Sequence, residues 1–327
     1  MWSYIKNFFK RFLPIPGRTH NAQIQIITTE LTNIMNKIKE LNTTIETIEK
    51  SNILAIELIS HNKIDLQQQE KILHSLLEEI KAIHNIQTNL CNKTDYYGEA
   101  NFEAISKARE MLWAEIYNNT VSDSNWLFNK SFSPGRWAAG YPFLFVLYKT
   151  LNIRKPKRIL ELGFGATTKM ITQYAAVDKN VIHKVVEHDL NWIDFFTEDF
   201  VLAENTEIVL LPWGYNDYGT ATNIRVYDGF KDIFFDNVFD LVCIDGPLGG
   251  DMAEFSRIDV LKLIPDNLAE SFVILFDDSN RIGEKNTIQE TIKCLDMAKI
   301  EYIKKEYIGE KNTCIVCSVD NKFLSSL

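Results

Sequence analysis

Apolar residues from Ile24 onward step alternately by three and four: Ile24, Ile27, Leu31, Ile34, Ile38, Leu41, Ile45 and Ile48. The register continues through Asn52, Ala55, Ile59, Asn62, Leu66, Gln69, Leu73, Leu76, Ile80, Ile83, Gln87 and Leu90. Sixteen of these twenty positions are apolar and no proline interrupts them, which predicts a left-handed coiled coil over residues 21–95. A lone helix has nothing to bury such a seam against, so the pattern predicts a parallel homo-oligomer. Isoleucine at both core positions of the first half favours three or more strands, whereas Asn52 at an a position is a dimer-type register device. Dimer and trimer both stay open. At ~1.5 Å per residue the rod is on the order of 100 Å long, a spacer and not a site of chemistry.

The heptads break at Asp95-Tyr96-Tyr97-Gly98. An amphipathic helix is predicted from Phe102 to Tyr117, with Ile105, Ala108, Leu112 and Ile116 on one face. An aromatic, turn-rich passage then runs from Trp126 to Tyr141 and contains Ser133-Pro134-Gly135-Arg136-Trp137. Phe143 to Leu151 reads as a buried helix. After Lys157 the period alternates between strand and helix. Strands are predicted at Arg158–Leu162, His183–Glu187, Glu207–Leu211, Asp240–Ile244 and Phe272–Phe276. Helices near 166–176, 190–200, 251–264 and 285–298 separate them, apart from an irregular stretch before the fourth strand. Glu301–Ile308 and Asn312–Val319 close the chain as a hairpin. The expectation is an α/β fold, a doubly wound seven-stranded sheet with a terminal antiparallel hairpin. Four regions follow: a basic amphipathic segment 1–20, the coiled coil 21–95, a helical lid or linker 96–155, and a ligand-binding domain 156–327.

The chemistry concentrates at Glu161-Leu-Gly163-Phe-Gly165-Ala-Thr167-Thr168, an apolar strand that breaks at two glycines and leads into a helix. Glycines there let the backbone pass close to a ligand, at the strand end where open α/β sheets bind. The third glycine of a dinucleotide fingerprint is absent, since Thr168 stands in its place. Glu161 would crowd a pyrophosphate but suits a cationic ligand. Twenty-two residues beyond Gly165, Glu187 ends the second strand, where a carboxylate can accept both hydroxyl hydrogens of a ribose.

Glu-x-Gly-x-Gly-x-x-Thr resembles the first motif of class I S-adenosylmethionine-dependent methyltransferases, and the closing strand pair extends that resemblance over roughly residues 130–320. It implies S-adenosylmethionine as cofactor. Gly163 and Gly165 would pass close to it, Glu161 would face its methionine half, Thr167 or Thr168 would cap the helix, and Glu187 would take the ribose. Such folds often carry an acid for the adenine after the third strand, but here stands Pro212-Trp213-Gly214, so Trp213 is a candidate for stacking on the base. N-terminal helices commonly lie over the cofactor in this class, which makes Arg136, Trp137 and Tyr141 candidate lid residues.

Asp245 ends the fourth strand, and Asp277-Asp278 the fifth; neighbouring parallel strands would bring all three to one rim. Three carboxylates suit Mg²⁺, which would bind paired hydroxyls of an acceptor and lower the pKa of one. The layout resembles metal-dependent O-methyltransferases of sugars and catechols. Read without metal, Asp245 orients cofactor or acceptor, and Asp277-Asp278 caps a helix or binds Arg281. His188 and Asp251, the latter opening a helix, are weaker candidates for a general base. Trp213, Tyr215, Tyr218, Tyr227 and Phe230 fall in the irregular stretch, and they either line a cleft for a hydroxylated ligand or form a hairpin.

Net charge is −9, yet residues 1–20 hold Lys6, Lys10, Arg11 and Arg18 and no acid, leaving −13 on the rest. An acidic body argues against nucleic acid as a partner. Trp2, Ile5, Phe8, Phe9, Phe12 and Leu13 recur at helical spacing among those cations, a pattern suited to an anionic membrane surface or to docking on protein. Five scattered cysteines suit a reducing compartment, and Cys314-x-x-Cys317 lacks a second pair. No run approaches the ~18 apolar residues of a membrane span. The expected place is the cytoplasm, peripheral to the inner face of the plasma membrane. The leading expectation is therefore an oligomeric methyltransferase acting on a carbohydrate or lipid-linked glycan. The alternatives are O-methylation of a small metabolite, and a non-catalytic scaffold with a degenerate head.

Overall fold

A computed structural model describes residues 18–61, 66–132, 138–198 and 200–327. The basic aromatic segment, up to residue 17, and the candidate lid residues Arg136 and Trp137 lie outside the described residues. Two compact units are formed, Met1–Lys93 and Thr94–Leu327. Among the described residues, no helix is long and apolar enough to cross a membrane.

The heptad region is helical, as α1 (Arg18–His61) and the first part of α2 (Leu66–Val121). Along the predicted seam Leu31, Ile38, Ile45, Leu73 and Ile80 are exposed and Ile34, Leu41, Ile48, Leu76 and Ile83 half-buried. The seam is thus an apolar stripe largely open to solvent in one chain. The heptad break at Asp95–Gly98 does not end the helix: α2 runs through it to Val121, taking in the separately predicted Phe102–Tyr117 segment. Losing the heptad changes which face is apolar, while the hydrogen-bonded backbone continues.

In the second unit, the last turns of α2 dock by directional contacts. The Glu110 carboxylate accepts from the backbone N–H of Tyr141 at 2.6 Å and of Glu310 at 3.0 Å. Trp113 Nε1 donates to the Ile308 carbonyl at 3.0 Å. Tyr117 is buried against Phe132 and Tyr141. The short α3 (Tyr141–Lys149) buries nearly every side chain and carries Pro142 at its start, where a missing N–H costs nothing. Tyr141, a candidate lid residue, is committed to this packing.

The sheet has the order β3-β2-β1-β6-β7-β9-β8. Its strands are β1 (Arg158–Leu162), β2 (Ile182–Glu187), β3 (Thr206–Leu210), β6 (Phe239–Ile244), β7 (Leu268–Phe276), β8 (Tyr302–Tyr307) and β9 (Thr313–Ser318). β9 runs antiparallel to both of its neighbours, β7 and β8, and the other pairs are parallel. That is the seven-stranded class I methyltransferase arrangement the resemblance implies. Strand alternation sorts the core between the two faces. Ile159, Leu241, Cys243, Val273, Leu275, Ile315 and Cys317 pack with α3 and α4 (Ala166–Val177), and α5 (Leu190–Thr197) follows β2. Leu160, Leu162, Val242, Ile244, Phe272, Ile274, Phe276, Cys314 and Val316 pack with the opposite layer, which includes Ile288 and Leu295 of α7 (Ile282–Met297). Each such large side chain contributes about 1.5–3 kcal/mol by leaving water. Cys314 and Cys317 belong to opposite faces, so they cannot share a metal or a disulfide; both are free and buried.

Two predicted elements differ. The irregular stretch contains a separate two-stranded sheet, β4 (Trp213–Tyr218) and β5 (Ala221–Tyr227), followed by α6 (Phe230–Phe234). The helix predicted at 251–264 is an ordered loop with only a 3₁₀ turn at Ile258–Leu263. Arg257 takes a left-handed backbone, φ 58°, which interrupts any α-helix there. Tertiary contacts hold the loop instead: Thr287 Oγ1 donates to the Ser256 carbonyl and Asn286 Nδ2 to that of Glu254, each at 2.6 Å.

Candidate functional site

Parallel pairing brings the ends of β1, β2, β3, β6 and β7 to one rim, and Glu161, Gly163, Gly165, Glu187, His188, Trp213, Asp245, Asp277 and Asp278 lie on or just after these ends. Gly163 turns with φ +97°, a conformation that favours glycine. A Cβ there would meet Gly246 N at 2.8 Å, and a Cβ on Gly246 would meet Gly163 Cα at 2.6 Å and Tyr227 Oη at 2.7 Å. The turns after β1 and β6 therefore cross backbone to backbone. Gly165 differs. Its φ is 175°, open to any residue, and nothing lies within 4 Å of where a Cβ would be. Neither strain nor packing calls for a glycine at 165. The open space is a cradle that a side chain would fill.

Around that cradle the loop is fixed by hydrogen bonds. Gly165 N donates to Thr168 Oγ1 at 2.9 Å, so Thr168 caps the helix. Thr167 and Thr168 are both buried in the first turn of the helix. Glu187 holds three backbone N–H groups: Phe164 N on Oε2 at 3.0 Å, and His188 N and Asp189 N on Oε1 at 2.7 and 3.1 Å. These bonds tie the ends of β1 and β2 together and fix the direction of the carboxylate. Trp192 Nε1 adds a bond to the Phe164 carbonyl at 2.7 Å. Lys169 reaches back to the Ser131 carbonyl at 2.9 Å, tying the aromatic passage to α4.

Glu161 is fully buried: its Oε2 lies 3.1 Å from His183 Nε2, while its Oε1 has no hydrogen-bond partner. His183 Nδ1 meets Thr206 Oγ1 at 3.2 Å, which meets Thr172 Oγ1 at 3.1 Å. Strand alternation turns Glu161 towards the face covered by α4, where this polar chain receives it.

His188 Nδ1 lies 2.6 Å from Glu187 Oε1, and its ring stands edge-on to Trp213 at 5.6 Å. Trp213 therefore sits one side chain away from Glu187. Arg225 packs over the Trp213 ring at 4.0 Å and forms a two-pronged pair with Asp251, both contacts at 2.8 Å. Asp251 opens no helix. Its hydrogen bond with Arg225 holds the Asp251 carboxylate below the usual range. The hairpin has two faces: Ala221, Ile224 and Val226 pack on Ile258, while Tyr215 is exposed and Trp213 borders on it.

The three aspartates do converge. Oxygens of Asp245, Asp277 and Asp278 lie within 4.8 Å of one another. They are not alone. Arg257 Nη2 lies 3.2 Å from Asp245 Oδ1 and 3.0 Å from Asp278 Oδ2. Lys311 Nζ is 3.5 Å from Asp277 and 3.6 Å from Asp278, and Arg281 Nη1 is 2.8 Å from Asp278. Glu284, buried nearby, lies 3.8 Å from Arg257 Nε. Burial pushes Asp245 up to about 6 against the pull of Arg257 and Lys311. Burial, then Asp245 and Asp278, raises Asp277 well above the carboxylate range, and both its oxygens lack a hydrogen-bond partner. Burial disfavours the Arg257 charge, but Asp245, Asp278, Glu284 and Asp277 more than offset this and raise its pKa. This donor set does not fit Mg²⁺. Two of the three carboxylates already face one guanidinium, and the third has an ammonium beside it.

Sequence reasoning missed Arg257, Lys311, Arg225 and His183. Arg257 sits in a stretch of helix-compatible composition and Lys311 in a hairpin turn. Neither carries a local signal of its long-range partners.

No protein-family model and no curated protein matches the chain. Solved structures similar to it include an O-methyltransferase from Bacillus cereus in complex with SAH, at 14% identity over 64% of this chain and 91% of that one, TM-score 0.39. An SAH-bound methyltransferase from Podospora anserina aligns at 15% identity over 62% and 86%, TM-score 0.35. A precorrin-6y C5,15-methyltransferase from Geobacter metallireducens aligns at 13% identity over 58% and 94%, TM-score 0.37. Alignments this loose decide nothing about activity; the strand order and the loop geometry of the chain itself define its fold.

Proposed function

We propose that the chain is an S-adenosylmethionine-dependent methyltransferase that O-methylates a carbohydrate, a cell-surface glycan or its lipid-linked precursor. It works as a coiled-coil oligomer with its basic N-terminus on an anionic membrane surface. The observation that carries the cofactor reading is Gly165, a glycine that neither its own φ nor any protein atom requires. It lies on a turn fixed through Glu187, where an acid can take ribose hydroxyls. S-Adenosylmethionine supplies a methyl group on a positively charged sulfur. Asp245, pushed up to about 6, is mostly ionised at neutral pH and takes the proton of the acceptor hydroxyl. Rate then comes chiefly from holding hydroxyl and methyl in line. The carbohydrate reading rests on the Trp213–Tyr215 edge beside Glu187, an aromatic surface for the apolar face of a sugar ring. The oligomer reading rests on the solvent-open seam.

Calorimetry with S-adenosylmethionine and with NAD tests the cofactor: binding of the first alone is expected, and its failure to bind overturns the proposal. Transfer of labelled methyl to a panel of glycans and small hydroxylated metabolites tests the acceptor. Incorporation only into metabolites would replace the carbohydrate reading.

A further inference from the structure

We infer that Arg257 is the resident cation of this rim, standing where a three-aspartate site would take a divalent metal, and that it positions Asp245 and Asp278 without one. The inference deepens the methyltransferase reading and rests on it only for the role of Asp245.

The guanidinium is built in on every side. Its Nη2 serves Asp245 and Asp278, Nη1 donates to the Asp277 carbonyl at 3.3 Å, and Nε donates to the Pro247 carbonyl at 3.3 Å. The fork thus joins the loop after β6 to the loop after β7 through backbone as well as side chains. A planar guanidinium suits this work because its donors diverge in fixed directions. The side chain is 5% exposed, so water does not compete for these acceptors.

Backbone conformation gives a second, independent observation. Arg257 has φ 58° and Asp278 φ 55°, both left-handed and neither a glycine. Outside glycine this backbone is strained and persists where surrounding contacts hold it; Lys155, Asn223 and Lys299 adopt it away from the rim, and Asp tolerates it better than Arg. Here two such residues are bonded to each other across the rim. Charge agrees: Asp245, Asp277, Asp278 and Glu284 face Arg257, Lys311 and Arg281, so the cluster is nearly neutral before any ion arrives. A hard dication needs carboxylate oxygens turned towards it at roughly 2.0–2.1 Å, and it would meet a fixed positive charge instead. Arg257 acts through Asp245, which makes it a positioning residue.

Mn²⁺ titration of the full-length protein, followed by electron paramagnetic resonance, tests this together with cofactor calorimetry. Wild type is expected to show no Mn²⁺ binding that Asp277→Asn removes, and a cofactor Kd that changes less than about two-fold between EDTA and millimolar Mg²⁺. Arg257→Asn, which tolerates the left-handed backbone, is expected to gain Mn²⁺ binding and a Tm that rises with Mg²⁺; adding Asp277→Asn should remove both. Arg257→Lys keeps a cation and should stay indifferent to metal. Stoichiometric Mn²⁺ on wild type that Asp277→Asn abolishes, or cofactor binding lost in EDTA, would overturn the inference. So would a folded Arg257→Asn that gains no metal. If Arg257→Asn does not fold, wild type and Arg257→Lys still decide. Absence of cofactor binding under every condition, with the Mn²⁺ results intact, would sink the methyltransferase reading and leave the resident cation standing.

Discussion

The two glycines of the first turn should fail in opposite ways. Gly165→Val adds a side chain at φ 175°, with no protein atom within 4 Å of its Cβ. The folded state has room for it and the unfolded chain loses freedom, so stability should stay within about 1 kcal/mol of wild type. The added carbons enter the space the cofactor is proposed to fill. An affinity loss of at least ~100-fold is expected, about 2.7 kcal/mol. Gly163→Ala instead meets Gly246 N at 2.8 Å and has to keep φ +97°. Backbone strain of about 1–3 kcal/mol and overpacking of about 1–3 kcal/mol should lower its stability by several kcal/mol. Thermal unfolding and S-adenosylmethionine calorimetry on both variants separate the effects. A Gly165→Val protein that binds with wild-type Kd would refute the reasoning. One as unstable as Gly163→Ala would show that the space is closed.

Asp245 gives a pH prediction of definite sign. The folded protein disfavours its ionised form, so it costs nothing below the ordinary value of 3.8 and costs most above about 6. Its share of stability therefore falls as pH rises across that window, and Asp245→Asn should flatten that part of a Tm–pH profile. Turnover should move the other way, rising through an apparent pKa near 6 as the base ionises, a limb that stopped-time assays across pH would read. Ile45→Asp with Ile48→Asp puts charge on the seam and should give a monomer in sedimentation without changing cofactor Kd by more than about two-fold. Deleting residues 1–18 should release the protein from anionic liposomes in flotation while turnover stays at the wild-type rate. Persistent flotation would rule out the N-terminal tether.

Strand periodicity made most of the head legible. Arg158–Leu162, the acid at 187 and the closing hairpin are local patterns, read from a few neighbouring residues, and they determine the sheet. The helices α1 and α2 are equally local, because a heptad is a repeat along one helix. The turn with Gly163, Gly165 and Glu187 also followed from sequence, since motif spacing sets which residues meet at the end of a parallel strand.

Tertiary structure decided the rest. Glu161 and Thr168 belong to the motif, yet strand alternation and helix packing turn them inward, to His183 and to Gly165 N. The stretch 251–264 has helix-compatible residues, and the ion pair of Arg257 with Asp245 and Asp278 overrides that preference. Three aspartates at two strand ends predicted a shared Mg²⁺, and what the structure places beside two of them, at 3.2 and 3.0 Å, is a fixed positive charge. That it is a guanidinium from a distant loop depends on long-range contacts, which no window of sequence contains.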